Sequence, residues 1–145
     1  MPNDDAFEIR ALVERYADAV CRRDATDWGA TWAPDATWDL GPGREVTGRE
    51  QIVELWTKLM AGFPTAIQII HSGVMTSIEG DRATARWYLS EFILQADDTR
   101  RMGVGVYHDE YRKADGAWMF ARRRYNLLYN GPADLSGQFI PFPSG

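Results

Sequence analysis

The chain changes its hydrophobic period at Ala66. Upstream, apolar residues recur at helical spacing. From Ala66 to Tyr129 they alternate with a period of two, the pattern of strands with one face buried. Turn signals divide this stretch into four strands, predicted over Ala66–Glu79, Arg82–Gln95, Arg101–Lys113 and Ala117–Tyr129. The breaks are Gly80-Asp81, Asp97-Asp98, Asp115-Gly116 and Asn130-Gly131-Pro132. Connections this short make consecutive strands antiparallel neighbours. Gly73, Gly103 and Gly105 fall inside strands, where glycine marks bends and bulges, so the sheet is expected to curl.

The upstream half supplies what covers such a sheet. Ile9, Leu12, Val13, Tyr16 and Val20 form one apolar stripe of a long helix, with Glu8, Glu14, Arg15, Asp18 and Arg22 mostly on the wet side. Asp5 and Glu8 read as a capping box that opens it. The helix runs into Asp24–Trp28, and Trp28, Trp32 and Trp38 follow closely. Thr37–Leu40 reads as a short strand, Gly41-Pro42-Gly43 as a turn, and Arg44–Val46 as the hairpin return. Thr47 is placed to cap a second helix, Arg49–Ala61, with Ile52, Leu55, Trp56, Leu59 and Met60 inward. Gly62 ends it and Pro64 prevents a restart. Helices first and antiparallel strands later is the α+β order. Residues 1–145 are expected to form a single domain in which helices lid a curled sheet around a conical cavity.

Charge and cysteine content narrow the partners. A net charge of −5 argues against nucleic acid or an anionic membrane surface and suits a small neutral ligand. Cys21 is the single cysteine, so an intrachain disulfide is impossible. With no transmembrane-length apolar run and no signal-peptide pattern, a cytoplasmic location is expected. His71 and His108 are the only histidines and have no clustered acidic or thiol partners, so no metal site is expected. No nucleotide-type glycine loop precedes a helix, and no cofactor is expected.

Several segments together resemble the NTF2-like α+β cone proteins, in the SnoaL-like branch. They are Tyr16-Ala-Asp-Ala, Asp24–Trp28, Ala33-Pro-Asp-Ala, Gly48 before the second helix, Gly116-Ala-Trp118-Met-Phe, Val106-Tyr-His-Asp-Glu-Tyr111 and the Pro-rich tail. Within that branch the chain is similar to the scytalone dehydratase and hexachlorocyclohexane dehydrochlorinase families. The resemblance implies a His–Asp pair that removes a proton beside a departing group. The histidine position matches His71, and the aspartate position falls on Cys21. Further polar positions of the dehydratases fall on Val20 and Leu40, and their second histidine falls near Ile93. The resemblance implies a homo-oligomer, a trimer by analogy with those families or an NTF2-like dimer. Tyr88, Phe92 and Tyr107 are expected on the outer sheet face, where they would be covered.

The candidate residues are weighed on chemistry. Strand alternation groups His71 with Ile67, Ile69, Gly73 and Met75 on a face expected to look into the cavity, where an imidazole suits a general base. The same histidine also fits a buried role satisfied by one hydrogen bond. Cys21 is a poor substitute for a carboxylate and fits an apolar filler. Asp24 either reaches back toward His71 or closes the helix end. Tyr16 points inward and bonds either a ligand or a backbone group. Trp28, Trp38, Trp56, Met75 and Trp87 are candidate walls for an apolar or aromatic ligand. In Arg122-Arg123-Arg124, alternation sends Arg123 to the face opposite its neighbours, to pair with acids such as Glu91, Asp109 or Glu110. Two functions are consistent with this set. One is a cofactor-free lyase or isomerase acting on a small apolar cyclic substrate, with His71 as base, Tyr16 polarising and Asp24 supporting. The other is a non-catalytic module that binds a hydrophobic ligand or assembles oligomers.

Overall fold

The computed structural model describes residues 2–144. Its helices are α1 (Pro2–Arg22), α2 (Ala25–Ala30) and α3 (Arg49–Ala61). Its strands are β1 (Trp32–Asp39), β2 (Glu45–Thr47), β3 (Thr65–Glu79), β4 (Arg82–Leu94), β5 (Arg100–Ala114) and β6 (Ala117–Gly131). They form one curved sheet in the order β2-β1-β6-β5-β4-β3. Strands β3 to β6 are antiparallel neighbours, as their short turns require. The parallel pairing of β1 with β6 makes the sheet mixed and brings the tryptophan-rich segment onto it.

The predicted stripe of α1 is the buried one: Ile9, Leu12, Val13, Tyr16 and Val20 all lie in the core. From α3, Ile52, Trp56 and Met60 are buried, with Leu55 and Leu59 packed at the margin. Trp28 of α2 stacks on Trp56 of α3, centroids 4.6 Å apart, and so locks the two helices together. Arg23 ties α1 to the end of α3 by donating to the carbonyls of Met60 and Phe63.

Two expected caps are corrected. α1 already begins at Pro2, so Asp5 lies inside it. Its carboxylate instead accepts from Trp118 Nε1 at 2.8 Å and Lys113 Nζ at 3.0 Å, pinning α1 to the sheet. Thr47 does not cap α3, because its hydroxyl pairs with Thr37 across β2 and β1. Gly48 occupies the N-cap at φ +99°, a conformation that side chains other than glycine rarely adopt.

The consequential irregularity lies in β3. Its register with β4 shifts between Ile70 and Gly73. Before the shift Ala66, Gln68 and Ile70 oppose the inward Ile93, Glu91 and Leu89. After it Gly73 and Met75 oppose the inward Trp87 and Ala85. One extra residue therefore exchanges the two faces. Trp87 packs across the strand at Gly73, where an added Cβ would lie 2.0 Å from the ring. Trp87 Nε1 donates to Tyr111 at 2.8 Å, so the indole has little freedom to yield. Gly73→Ala should accordingly cost about 1–3 kcal/mol of stability in urea denaturation. An unchanged unfolding midpoint would show that Trp87 does yield.

Candidate functional site

Between the helices and the inner sheet face lies a cavity of about 410 Å³, a size suited to a small molecule. Tyr16 and Val20 of α1, Trp38 of β1, and Trp56, Leu59 and Met60 of α3 form much of its apolar wall. Its polar groups come mostly from the sheet, from Gln68 of β3, Glu91 of β4, Arg101 and Tyr107 of β5, and Tyr125 and Asn130 of β6, with Arg44 added by the loop between β1 and β2 and the Tyr16 hydroxyl by α1.

Glu91 is the only carboxylate among the cavity's lining residues. It sits in the inward series Ala83, Ala85, Trp87, Leu89, Glu91, Ile93, where every other member is apolar and buried. Protein surrounds the carboxyl, and the cavity gives it partial access. Burial pushes its pKa above the usual glutamate value, while a hydrogen bond from Gln68 and the charge of Arg101 work in the opposite direction. Gln68 Nε2 donates to Glu91 Oε1 at 3.0 Å and to the Tyr107 hydroxyl at 3.1 Å. Because Tyr107 oxygen accepts from Gln68, its own proton is free for Tyr16 or a bound molecule. Burial raises the pKa of both Tyr16 and Tyr107, so both are neutral hydrogen-bond donors and not bases. Gln68 Oε1 and Trp38 Nε1 are buried without a protein partner, leaving one acceptor and one donor at the cavity wall.

Below this layer Arg123 is fully buried and pairs with Asp109 through two bonds of 2.8 and 3.0 Å. Its guanidinium lies 3.6 Å from the ring centroid of Tyr107 and 4.3 Å from that of Tyr16. The predicted opposition of Arg123 to Arg122 and Arg124 holds, and Asp109 is the partner. Arg123 is thus committed beneath the pocket floor and does not face a ligand.

The sequence-predicted site residues separate. Tyr16, Trp38 and Trp56 line the cavity. His71 does not: it sits at the β3 register shift, is exposed, and bonds Ser90 Oγ at 2.6 Å on the opposite sheet face. The alternation that grouped it with Gly73 and Met75 is broken by that shift. Asp24 does not approach His71 and is the N-cap of α2, accepting from Asp27 N at 2.9 Å and pairing with Arg22 at 3.1 Å. Cys21 is outside the lining, its sulfur 3.4 Å from the Gln68 amide that donates to it. Trp28 is buried behind the wall, while Trp87 and Met75 face inward beyond the cavity's end. Tyr107, expected outside, faces the cavity because it is in register with Trp87 and Tyr125. Val20, Leu40 and Ile93, the positions where the resemblance implies polar groups, do line the cavity, as apolar residues.

Glu91, Gln68 and Tyr107 are the site residues that the sequence reading missed. The available signal was a lone carboxylate within an apolar period-two series.

Comparison with known proteins agrees with this architecture. The family model described as a SnoaL-like domain matches residues 4–124. A search of the curated proteins finds no match. Among solved structures, a hexachlorocyclohexane dehydrochlorinase, LinA type 2, superposes with a TM-score of 0.86 at 18% identity, covering 97% of this chain and 95% of that one. A putative scytalone dehydratase from Novosphingobium aromaticivorans gives 0.84 at 16% identity, covering 92% and 91%. A putative aromatic ring hydroxylase from the same organism gives 0.80 at 27% identity, covering 89% and 92%. Among the described residues, no helix is long and apolar enough to cross a membrane, and no group of three or more His, Cys, Asp or Glu is placed to hold a metal ion.

Proposed function

The chain belongs to the SnoaL-like domain family of the NTF2-like superfamily, and on that premise we propose that it is a cofactor-free lyase or isomerase acting on a small apolar cyclic substrate. The observation that carries the reading is the solitary, protein-enclosed carboxyl of Glu91 opening on a mostly apolar cavity. In this reading Glu91 replaces the histidine base, and Gln68 orients it. The carboxylate removes a proton from a ring carbon next to a carbonyl, hydroxyl or halide. Tyr16, with Tyr107 behind it, donates a hydrogen bond to the oxygen or leaving group where negative charge develops. In a lyase the C–H electron pair becomes a double bond and the leaving group departs with its own pair. In an isomerase the same proton returns to a different carbon. Raising the pKa of Glu91 by burial strengthens it as a base once ionised.

The test is proton exchange. Cyclic ketones, alcohols and halides are incubated with the protein in D₂O, and deuterium incorporation or elimination product is read by mass spectrometry. Turnover should rise with pH through a midpoint above the ordinary glutamate value of 4.5. A rate that tracks a histidine midpoint and vanishes in His71→Ala would overturn the assignment to Glu91.

A second reading rests on Val20, Leu40 and Ile93, which make the wall apolar where the resemblance implies polar groups. It is a non-catalytic module that holds a hydrophobic or aromatic molecule. Saturable binding of such compounds without exchange or product from any of them would select it. Assembly into a homo-oligomer is compatible with either reading, and light scattering after gel filtration measures it.

A further inference from the structure

The sheet face opposite the cavity carries a row of basic side chains that the pocket chemistry does not use. Arg86 of β4, His108 of β5 and Arg124 of β6 are direct cross-strand partners and share that face. The two guanidinium charges stand on either side of the imidazole and repel one another unless something compensates them. Most of the nearby acids are committed elsewhere. Asp39 and Glu45 both pair with Arg122 at 2.7 Å, and Glu110 lies 4.0 Å from the same guanidinium. Asp109 turns to the inner face and is held by Arg123. Among the described residues, Arg86 and Arg124 make no ion pair. A concavity of about 270 Å³ lies over the row, bounded by these three side chains, Thr84, Glu110 and Arg122. Two unpaired arginines on a chain of net charge −5 make a local reversal of sign that Glu110, at the edge of the same concavity, offsets only in part.

We propose that Arg86, His108 and Arg124 form an oxyanion site for a small molecule bearing a phosphate group. Adjacent strands lie roughly 4.8 Å apart, so each arginine flanks His108 at about that spacing and the two arginines are about twice as far from each other. Both side chains are long enough to converge over the imidazole. Each guanidinium presents a planar fork of N–H donors that matches phosphate geometry, and an imidazolium adds a further charge-assisted donor. His108 is the natural reporter. Burial, and then Arg124 and Arg86, depress its pKa, while Asp109 and a hydrogen bond involving Asn126 raise it. An anion seated between the arginines reverses their effect and raises the midpoint.

The experiment is a proton NMR titration of both histidines in the full chain, with inorganic phosphate added at constant ionic strength against sodium chloride and sodium acetate. Phosphate should raise the His108 midpoint saturably, by about 1, and leave His71 on the same sheet face unmoved. Arg86→Gln and Arg124→Gln should each weaken the phosphate effect about tenfold or more. An equal response to acetate, a response shared by His71, or persistence in the double glutamine variant would overturn the site. So would a His108 midpoint that follows protein concentration, which would assign the patch to contact between copies of the chain.

Discussion

Glu91→Gln is expected to lower kcat/KM by about 10²–10⁴-fold toward whichever cyclic compound the exchange assay identifies. Most of the loss should fall in kcat. Glutamine keeps the size of the side chain and its hydrogen bonding with Gln68, so ligand binding is retained while the proton acceptor is gone. His71→Ala, on the far face, should leave turnover unchanged. Stability gives an independent readout with a definite sign. The folded state holds the Glu91 proton more tightly than the unfolded chain, so ionising this carboxyl opposes folding. That cost is absent below about pH 4.5 and grows as pH rises toward the folded-state value. Glu91→Gln should therefore unfold at a higher temperature than the natural chain near neutral pH, and the gain should disappear in acid. Loss of activity together with gain of stability is the signature of a group kept for function. Undiminished turnover in Glu91→Gln would remove the proposed mechanism.

Much of the fold follows from patterns visible in the sequence. The period change at Ala66 and the turn signals place four antiparallel strands, and the stripes of α1 and α3 name most of the residues that meet them. The site is less legible, and the reason is local. A period-two reading assumes unbroken pairing, and the extra residue near His71 reverses which face each later side chain of β3 occupies. Sequence marks glycine at position 73 but not the tryptophan ring that lies over it. Asp24 illustrates a different ambiguity. A short acid after a helix suits either a site or a cap, and Arg22 together with the Asp27 amide decides for the cap. Glu91 was legible in principle, because β4 pairs without interruption to β5 and its alternation is intact. What the alternation lacked was the depth that separates a rim carboxylate from one enclosed by the cone.

Arg123→Met should be the most destabilising single change, at about 3–5 kcal/mol in denaturant unfolding. The methionine fills a similar volume, but it leaves Asp109 buried with only the Tyr111 hydroxyl, which donates at 2.6 Å. In the natural chain, burial works against the Arg123 charge and Asp109 more than offsets it, so the guanidinium stays protonated. The pair is bidentate, and three rings enclose the cation, those of Tyr16, Tyr107 and Phe120. Arg123 Nη1 nevertheless lacks a partner, so the ion pair is itself imperfectly satisfied. Replacing both members with apolar residues, Arg123→Met with Asp109→Leu, should therefore restore much of what either single change removes. The double variant separates structure from function. If the buried pair serves only the fold, the rescued protein keeps wild-type kcat. If the cation beneath Tyr107 and Tyr16 strengthens their hydroxyls as donors into the cavity, the rescued protein stays folded and binds ligand, but turns it over more slowly. Additive losses in the double variant would show instead that the pair is a net source of stability in this core.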